Sequence, residues 1–441
     1  MAREVPGRIG LPLLGETIPF LKDIIGFIET RMKRHGAMFQ TYLFGSRTVV
    51  ACSYDSATAV LTHGDASHSG GSLEAGEAFG QFLKELYPRP NLLLCPDDAA
   101  TRSTQLLMVQ CCLQNVEHFS DRAGTHTAAV VRRVVERAQR SNNGWAEMRL
   151  YECFKGVVER AVTGALLGEL PEHEYALVRR LCSEHFNGVA AVPVAVSALG
   201  ARSARAAAKD AYVQLTDVLL RLVDASLRRT DSGGDSAVAA LADMVREGTG
   251  SREDAVQVLL TLLSTAVAKA VASAATTATA TLAEQRHSAL QEAVVEELRG
   301  GESDTLQGVI LEALRLYPPL AGTLRSARAD TTVSELRVRG GSSVWLSLLH
   351  ANRDEGTFKG ACIFDARRWR RDKLPMPLSF GAGKRLCKGR DVAYKMLNAM
   401  LGAVLTAIQV QGPPLESVTL RYLPVLRPAH DRPVLARPRS T

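Results

Sequence analysis

The stretch that decides the fold is a glycine-rich loop that reads Phe380-Gly381-Ala382-Gly383-Lys384-Arg385-Leu386-Cys387-Lys388-Gly389. Apolar residues recur at helical spacing directly after it, at Val392, Met396, Met400 and Val404, which predicts a helix there. A cysteine just before a helix start lies where backbone N–H groups and the helix dipole favour its anionic form. The pattern therefore indicates that Cys387 is a thiolate metal ligand, against the alternative of a buried, inert cysteine in a turn.

The other residues of the loop suit a flat ligand. Gly381, Gly383 and Gly389 allow backbone turns and a close approach that a Cβ would obstruct. The guanidinium of Arg385 can pair with a carboxylate, and the ring of Phe380 can shield a sulfur atom from water.

Every fixed position of this loop matches F-x-x-G-x-R-x-C-x-G, the haem-binding signature of the cytochrome P450 family, which the chain therefore resembles. The resemblance implies a mainly α protein with small β-sheets, the P450 fold, shaped as a triangular prism around one haem b (iron protoporphyrin IX). It implies that Cys387 ligates the iron, that Arg385 contacts a haem propionate and that Phe380 packs beside the thiolate. Because thiolate ligation favours O–O cleavage, oxidative chemistry is expected.

A second motif of the same family, E-x-x-R, occurs at Glu312 and Arg315. The spacing places both side chains on one face of a helix, where an ordinary surface ion pair is the alternative. Residues 364–369, Phe-Asp-Ala-Arg-Arg-Trp, are similar to a family segment close to F-D-P-E-R-F/W, with Arg368 in the place of its arginine. The resemblance implies that Glu312, Arg315 and Arg368 form a buried structural triad, since such charges could not be left alone in a core.

Two further arginines are candidates for binding the haem propionates. Arg325 occupies the place of the family's second propionate-binding arginine, with a solvated strand arginine as the alternative. The segment 97–102 corresponds to a helix that normally supplies His or Trp together with Arg, and it retains only Arg102. Propionate binding is therefore expected to depend mainly on Arg385 and Arg325.

The closest similarity is to the branch of the family that oxidises sterols, retinoids and terpenoids. Residues 6–17 resemble the proline-glycine opening of those proteins. Residues 192–209 resemble their substrate-access segment without its second proline, and a plain helix-loop-helix core is an equal alternative.

The long central helix departs from the family pattern A/G-G-x-D/E-T, in which an acid and an alcohol relay protons to dioxygen. Residues 282–285 resemble the family's end of this helix, which places the acid-alcohol site near residues 269–272, with Ala270 at its centre. No acid lies there. Other registers offer Thr265, or Thr276 and Thr277, again without an adjacent carboxylate.

Three functions remain open because of this departure. The chain is expected to be an oxidoreductase, a haem-thiolate monooxygenase that hydroxylates or otherwise oxidises an apolar isoprenoid, sterol, retinoid or fatty acid with dioxygen and electrons from a redox partner. The alternative is a reductant-independent hydroperoxide isomerase or dehydratase, or a peroxygenase, of the P450 type. A non-catalytic haem-binding protein is the third.

Periodicity and length predict one domain over residues 1–441. Residues 1–65 and 325–350 are expected to be β-rich, and residues 66–324 and 351–441 helix-rich, with the thiolate loop at 380–389. Helices are predicted at Ala128–Arg140, Tyr212–Leu227, Ala255–Gln291 and Val392–Ile408, and strands at Thr41–Ala51 and Leu336–Leu348. Lys269 interrupts the long apolar stretch Val256–Ala283, which predicts a buried helix and not a membrane span.

Charge and cysteine content restrict the partners. The net charge is +7, and basic residues flank the thiolate, so an acidic ferredoxin or flavodoxin-type donor is expected at a basic proximal face. Nucleic acid is not expected, because aromatic residues are only 5% of the chain and do not alternate with the basic ones. Eight cysteines without repeated C-x-x-C spacing argue against a zinc site or a disulfide framework. We expect a monomer without a transmembrane anchor, cytoplasmic or otherwise soluble, with an organelle as the alternative.

Overall fold

The computed structural model describes residues 2–7, 15–63, 73–75, 83–97, 99–190, 203–229, 235–265, 267–431 and 433–439. Its helices are α1 (Thr17–Lys22), α2 (Ile24–His35), α3 (Tyr54–Leu61), α4 (Ala100–Leu113), α5 (Val116–Gln139), α6 (Leu150–Leu167), α7 (Glu172–Ala190), α8 (Ala204–Arg228), α9 (Ala237–Arg246), α10 (Arg252–Ser264), α11 (Val267–Leu282), α12 (Ser288–Arg299), α13 (Asp304–Leu316), α14 (Leu348–Ala351), α15 (Arg368–Arg371) and α16 (Arg390–Ala407). Its strands are β1 (Arg3–Glu4), β2 (Met38–Leu43), β3 (Ser46–Ala51), β4 (Leu73–Glu74), β5 (Ala146–Arg149), β6 (Thr323–Ala327), β7 (Thr331–Val333), β8 (Leu336–Val338), β9 (Ser343–Leu346), β10 (Ile408–Gln411), β11 (Leu420–Arg421), β12 (Arg427–Pro428) and β13 (Pro433–Pro438).

The prediction of one helix over Ala255–Gln291 is wrong. The chain forms α10, then α11, then a short 3-10 turn at Gln285–His287 before α12. At the first break the Ser264 hydroxyl donates to the Leu260 carbonyl at 2.7 Å, and such back-bonding bends helices. Thr265 then takes an extended conformation. Apolar periodicity continues through both breaks, so it could not reveal them.

Both predicted strands are also subdivided. Thr41–Ala51 contains parts of β2 and β3, joined by a tight turn at Phe44 and Gly45, where φ is 50° and 79°. Two consecutive positive φ angles match the right-handed twist of a hairpin. The Leu336–Leu348 stretch contains β8 and β9, with a turn between them, and enters α14 at its end.

Small sheets surround a helical core. The largest sheet has the strand order β2-β3-β9-β6-β4, and the other sheets are β1-β8-β7, β10-β13-β5 and β11-β12. The main apolar cluster joins α10, α11, α13 and α16 with the helices around them. Two smaller clusters lie against the largest sheet and the N-terminal helices. Helix α16, which follows the thiolate loop, therefore packs in the centre of the protein, against α5, α11 and α13.

One helical segment of the described chain is long and apolar enough to cross a membrane. It spans Arg252–Leu282, the α10–α11 pair, and 82% of its apolar window is buried inside the protein. The segment has the burial of a core helix of a globular protein, as the lysine within it predicts.

Candidate active site

The thiolate loop joins a short 3-10 turn at Leu378–Phe380 to the start of α16. Gly381 and Gly383 have φ angles of 73° and 66°, a region that residues with a Cβ rarely adopt. The Cys387 N–H donates to the Phe380 carbonyl at 2.9 Å, which closes the loop. The Phe380 ring packs on Tyr394 of α16, with ring centroids 5.2 Å apart. The loop is thus fixed at both ends, with the cysteine between them.

The Cys387 thiol lies beside the start of α16 and is only partly shielded by protein. Its surface is exposed, yet burial raises the pKa of its thiol, while the Gly389 N–H and the Arg390 charge act in the opposite direction. Burial thus opposes the anionic form that the helix start favours, and the prediction that Cys387 is a thiolate metal ligand stays a prediction. A bound cation would be needed to keep the sulfur deprotonated.

Three arginine side chains meet around one carboxylate near the loop. Arg102 and Arg325 are each only 6% exposed, so Arg325 is not the solvated strand residue of the alternative interpretation. The Arg385 Nε donates to an Asp97 oxygen at 2.5 Å. The Arg102 Nε lies 3.4 Å from the same oxygen and makes no hydrogen bond. Burial, followed by the charge of Arg385, lowers the pKa of Arg325 to about 10.

The charge of this cluster matches the charge of the propionates of haem b. Among the described residues, Asp97 is the carboxylate in ion-pair contact with Arg102 and Arg385, and the nearby Glu74 is paired with Arg328. The charges of Arg102, Arg325 and Arg385 therefore exceed the charge of Asp97, and the cluster can accept further anionic groups. The two propionates of haem b carry two negative charges. The residues present therefore fit the group, with the thiol of Cys387 as the soft iron ligand.

The Glu312 carboxylate lies at the centre of a fully buried network. It accepts hydrogen bonds from Arg315 at 2.7 and 2.9 Å and from Arg368 at 3.0 Å. The Trp369 indole N–H and the Asp365 backbone N–H also donate to it, at 3.0 and 3.1 Å. Glu312 and Arg315 are 0% exposed and Arg368 is 3% exposed. The structure thus brings the three predicted triad residues together inside the protein, and not in a surface ion pair.

Asn352 connects this network to the thiolate loop. Its backbone carbonyl accepts from Arg315 at 2.8 Å, and its side-chain oxygen accepts from the Leu378 N–H at 2.7 Å. Its amide donates to Ser379 at 3.0 Å, and Ser379 donates to the Leu314 carbonyl at 2.6 Å. Through these bonds the buried network holds the residues that lead into the loop.

The residues at the break between α10 and α11 are less buried than the rest of the two helices, and this half-buried surface is called the opening. Thr265, Val267 and Ala270 are half-buried there, whereas nearly all other residues from 255 to 283 are buried. The hydroxyls of Thr276 and Thr277 donate to carbonyls of their own helix, so they are occupied. Of the positions predicted for the distal alcohol, Thr265 is the one that combines a hydroxyl with this opening, since Ala270 has none.

Polar side chains fix the segment 83–97 on α10. His185 of α7 makes hydrogen bonds to Ser264 at 3.0 Å and to the Leu86 carbonyl at 3.1 Å. Asn91 donates to the Thr261 hydroxyl at 2.7 Å. Because this segment also carries Asp97, the same contacts position the arginine cluster relative to the distal helices.

The predicted basic face is partly neutralised. Its residues are Arg367, Arg370, Arg371, Lys373, Lys384, Lys388, Arg390 and Lys395. Four of its residues are in ion pairs: Arg390 with Asp391, Lys395 with Glu117, Arg370 with Glu297, and Arg371 with Asp372. Arg367, Lys373 and Lys388 are exposed and form no ion pair with the described residues. The face is therefore less basic than its count of lysines and arginines suggests, because two carboxylates from other helices, Glu117 and Glu297, and two from adjacent positions pair with it.

The sequence model described as cytochrome P450 matches residues 199–431, slightly more than half of the chain. The chain belongs to the cytochrome P450 family. This P450 is an oxidoreductase of a monooxygenase family, and its cofactor is haem b, as the signature loop predicted.

Relatives of this P450 match along almost the whole chain. Cytochrome P450 90A4 of Oryza sativa subsp. indica is 24% identical over 99% of this chain and 91% of its own length. Taxane 13-alpha-hydroxylase of Taxus cuspidata is 23% identical over 95% of this chain and 91% of its own length. The structure of retinoic acid bound cyanobacterial CYP120A1 superposes with a TM-score of 0.81 at 18% identity and covers all of both chains. The fold class predicted from the sequence is thereby confirmed.

Several residues that shape the site were not singled out by the sequence. Trp369 and Asp365 lie within the quoted motif, but nothing in it indicates that they bond Glu312. Lys269 was noticed only as an interruption of an apolar stretch, and that interruption was itself a usable signal. In the proline-glycine stretch near the N-terminus, residues 8–14 lie outside the described residues, as do residues 192–202 of the substrate-access segment.

Proposed function

We propose that this P450 oxidises an apolar isoprenoid, sterol, retinoid or fatty-acid substrate with dioxygen and electrons from a redox partner. The observation that carries the proposal is the position of Cys387 in the signature loop next to a cationic cluster of Arg102, Arg325 and Arg385. The cluster fits the propionates, and the thiol fits the iron. Haem bound in this way supplies oxidative chemistry that protein side chains lack.

The residues of the chain position the reaction in three ways. Arg102, Arg325 and Arg385 would hold the propionates by charge. Asn352 and the triad keep the loop that bears Cys387 in place. The half-buried surface at Thr265, Val267 and Ala270 would form one wall of the substrate pocket.

An apolar substrate is supported by the character of this wall and by the relatives. The α10–α11 pair is mostly aliphatic and alanine-rich around the opening, and such surfaces bind apolar ligands. One relative is named as a taxane hydroxylase and one structural neighbour is titled as retinoic acid bound. Both names describe other proteins and support the class of substrate for this one.

A second candidate is a P450-type isomerase or dehydratase that rearranges a hydroperoxide without a reductant. The specific observation in its favour is that no Asp or Glu lies between Ala255 and Ala283. A protein that never activates dioxygen needs no carboxylate to relay protons. The partly neutralised basic face also weakens the argument for an electron donor.

One experiment separates the two. The haem-loaded protein is first reduced in the presence of carbon monoxide, to check the absorption band typical of thiolate ligation, with Cys387→Ser as the control that should lack it. Ferric protein is then mixed with a fatty-acid hydroperoxide without reductant. Rapid conversion to an allene oxide, aldehyde or epoxy alcohol would favour the isomerase. Dioxygen consumption with a ferredoxin donor, and no hydroperoxide conversion, would support the monooxygenase.

A further inference from the structure

Lys269 is a buried cation on α11, one turn after the break at Thr265. It is 8% exposed. Its ammonium lies 3.9 Å from the centroid of the Phe186 ring of α7. Among the residues that the structure describes, no carboxylate or hydrogen-bond acceptor is paired with this ammonium. Buried charges are ordinarily paired, so a buried ammonium without such a partner points to a functional role.

The charged groups around Lys269 do not replace a partner. Lys155 and Glu159 face it from α6, Cys182 faces it from α7, and Arg427 faces it from β12. Glu159, the one carboxylate among them, is engaged by Arg179 at 2.8 Å. Burial, the largest effect, lowers the pKa of Lys269 to about 8. The ammonium can therefore release and regain its proton near neutral pH, which ordinary lysines do not.

The position of Lys269 connects it to the opening in the distal helices. The ammonium of Lys269 lies on Phe186, and the adjacent His185 is hydrogen-bonded to Ser264 at 3.0 Å. Because helical side chains lean toward the N-terminus of their helix, Lys269 extends toward this end of α10. A helix break leaves backbone N–H and C=O groups without helical partners. Such groups can hold water molecules that bridge polar side chains. A lysine at this place can thus exchange protons with the half-buried surface at Thr265.

The reaction proposed above consumes protons on this side of the protein. Reduction of dioxygen without substrate is balanced as NADPH + O2 + H⁺ giving NADP⁺ + H2O2, with electrons passed through a ferredoxin. Between Ala255 and Leu282, Lys269 is the one side chain with an ionisable group.

We propose that Lys269 is the proton-holding residue of the distal helices and supplies protons to the opening beside Thr265. The inference depends on the proposed use of dioxygen. Lys269 loses a proton toward the opening and regains one from solvent along the α6 side, where Lys155 is half-buried.

Two substitutions separate proton transfer from charge or packing. Lys269→Met removes the charge and keeps the length of the side chain. Lys269→Arg keeps the charge and the contact with Phe186 but does not release its proton, since arginine stays protonated. Lys22→Met, at an exposed lysine of α1, is the matched control.

The first measurement is the rate of peroxide formation by the haem-loaded proteins with NADPH, a ferredoxin and its reductase, and no substrate, from pH 6 to 10. The wild-type rate should fall as pH rises through about 8. Both Lys269 variants should be slower by roughly a hundredfold and lack this midpoint, and Lys22→Met should match wild type. If Lys269→Arg behaves as wild type, Lys269 acts by charge or packing and the inference is wrong. If the wild type consumes no dioxygen with either a ferredoxin or a flavodoxin, it is the proposed function that fails.

The second measurement does not depend on turnover. The reactivity of Lys269 toward acetic anhydride, followed by mass spectrometry against pH, gives its pKa in the folded holoenzyme. A midpoint near 8 supports the inference, and a midpoint at the ordinary lysine value overturns it.

Discussion

Glu312 and Lys269 are both buried charges, yet their surroundings differ. The Glu312 carboxylate accepts hydrogen bonds from two arginines, an indole and a backbone N–H. The Lys269 ammonium lies on the face of one phenylalanine. A charge that is surrounded by donors is fixed in one position and serves the structure. A charge with one weak partner can change its protonation state and is available for chemistry.

The comparison predicts that the largest loss of stability comes from the triad. Glu312→Gln keeps the shape of the side chain but leaves Arg315 and Arg368 without a buried counter-charge. The free energy of unfolding should fall by about 3 to 5 kcal/mol, measured by denaturant unfolding of the haem-loaded protein. Glu296→Gln, at an exposed position of α12, should change it little. A loss below about 1 kcal/mol in Glu312→Gln would show that the network does not require the charge.

Asn352 joins the buried network of Glu312 to the thiolate loop, so its substitution should affect both stability and haem retention. Asn352→Leu has a similar volume but cannot bond the Leu378 N–H or Ser379. The unfolding free energy should fall by about 2 to 3 kcal/mol, and haem should be lost faster to apomyoglobin. Asn398→Leu removes an amide that donates only within its own helix and should retain haem normally. Equal haem loss in the two variants would contradict the proposed connection.

Lys269→Met should raise the free energy of unfolding, whereas the two substitutions above should lower it. Because the folded-state pKa of Lys269 is lowered to about 8, folding at pH 7 carries the cost of burying a charge. This cost disappears as pH rises from about 8 toward the unfolded value. The variant should therefore be more stable than wild type at pH 7, and the difference should shrink by roughly 2 kcal/mol by pH 9.5. A difference that does not change with pH would mean that Lys269 titrates normally.

His350 should cause a smaller change in the free energy of unfolding, at acidic pH. Burial, followed by the charge of Arg353, lowers its pKa to about 4, so the unfolded state takes up a proton first as pH falls below 6.5. The wild type should lose roughly 1.5 kcal/mol more than His350→Gln between pH 6.5 and 5, measured by thermal or denaturant unfolding. His173→Gln, at an exposed histidine, should follow the wild type. Parallel curves for wild type and His350→Gln would refute the shift.

The proximal residues were predictable because each motif is local. The loop 380–389 and the pair Glu312 and Arg315 bring their functional groups together within one turn or one helix, so spacing alone specifies them. The largest misreading, the continuous helix over Ala255–Gln291, arose because the bend at Ser264 and Thr265 comes from a hydrogen bond and a backbone conformation. The spacing of apolar residues reveals neither the hydrogen bond nor the backbone conformation.

The sequence by itself determined the family, the fold class, the haem cofactor and the cysteine proposed to bind the iron, because these follow from residue types at fixed short spacings. The tertiary structure decided which groups share a charge environment. It brought Arg102, Arg325 and Arg385 around Asp97 from distant segments, and it buried Lys269 against Phe186 without a carboxylate. Electrostatic energies depend on distance and burial in space, and neither can be read from positions along the chain.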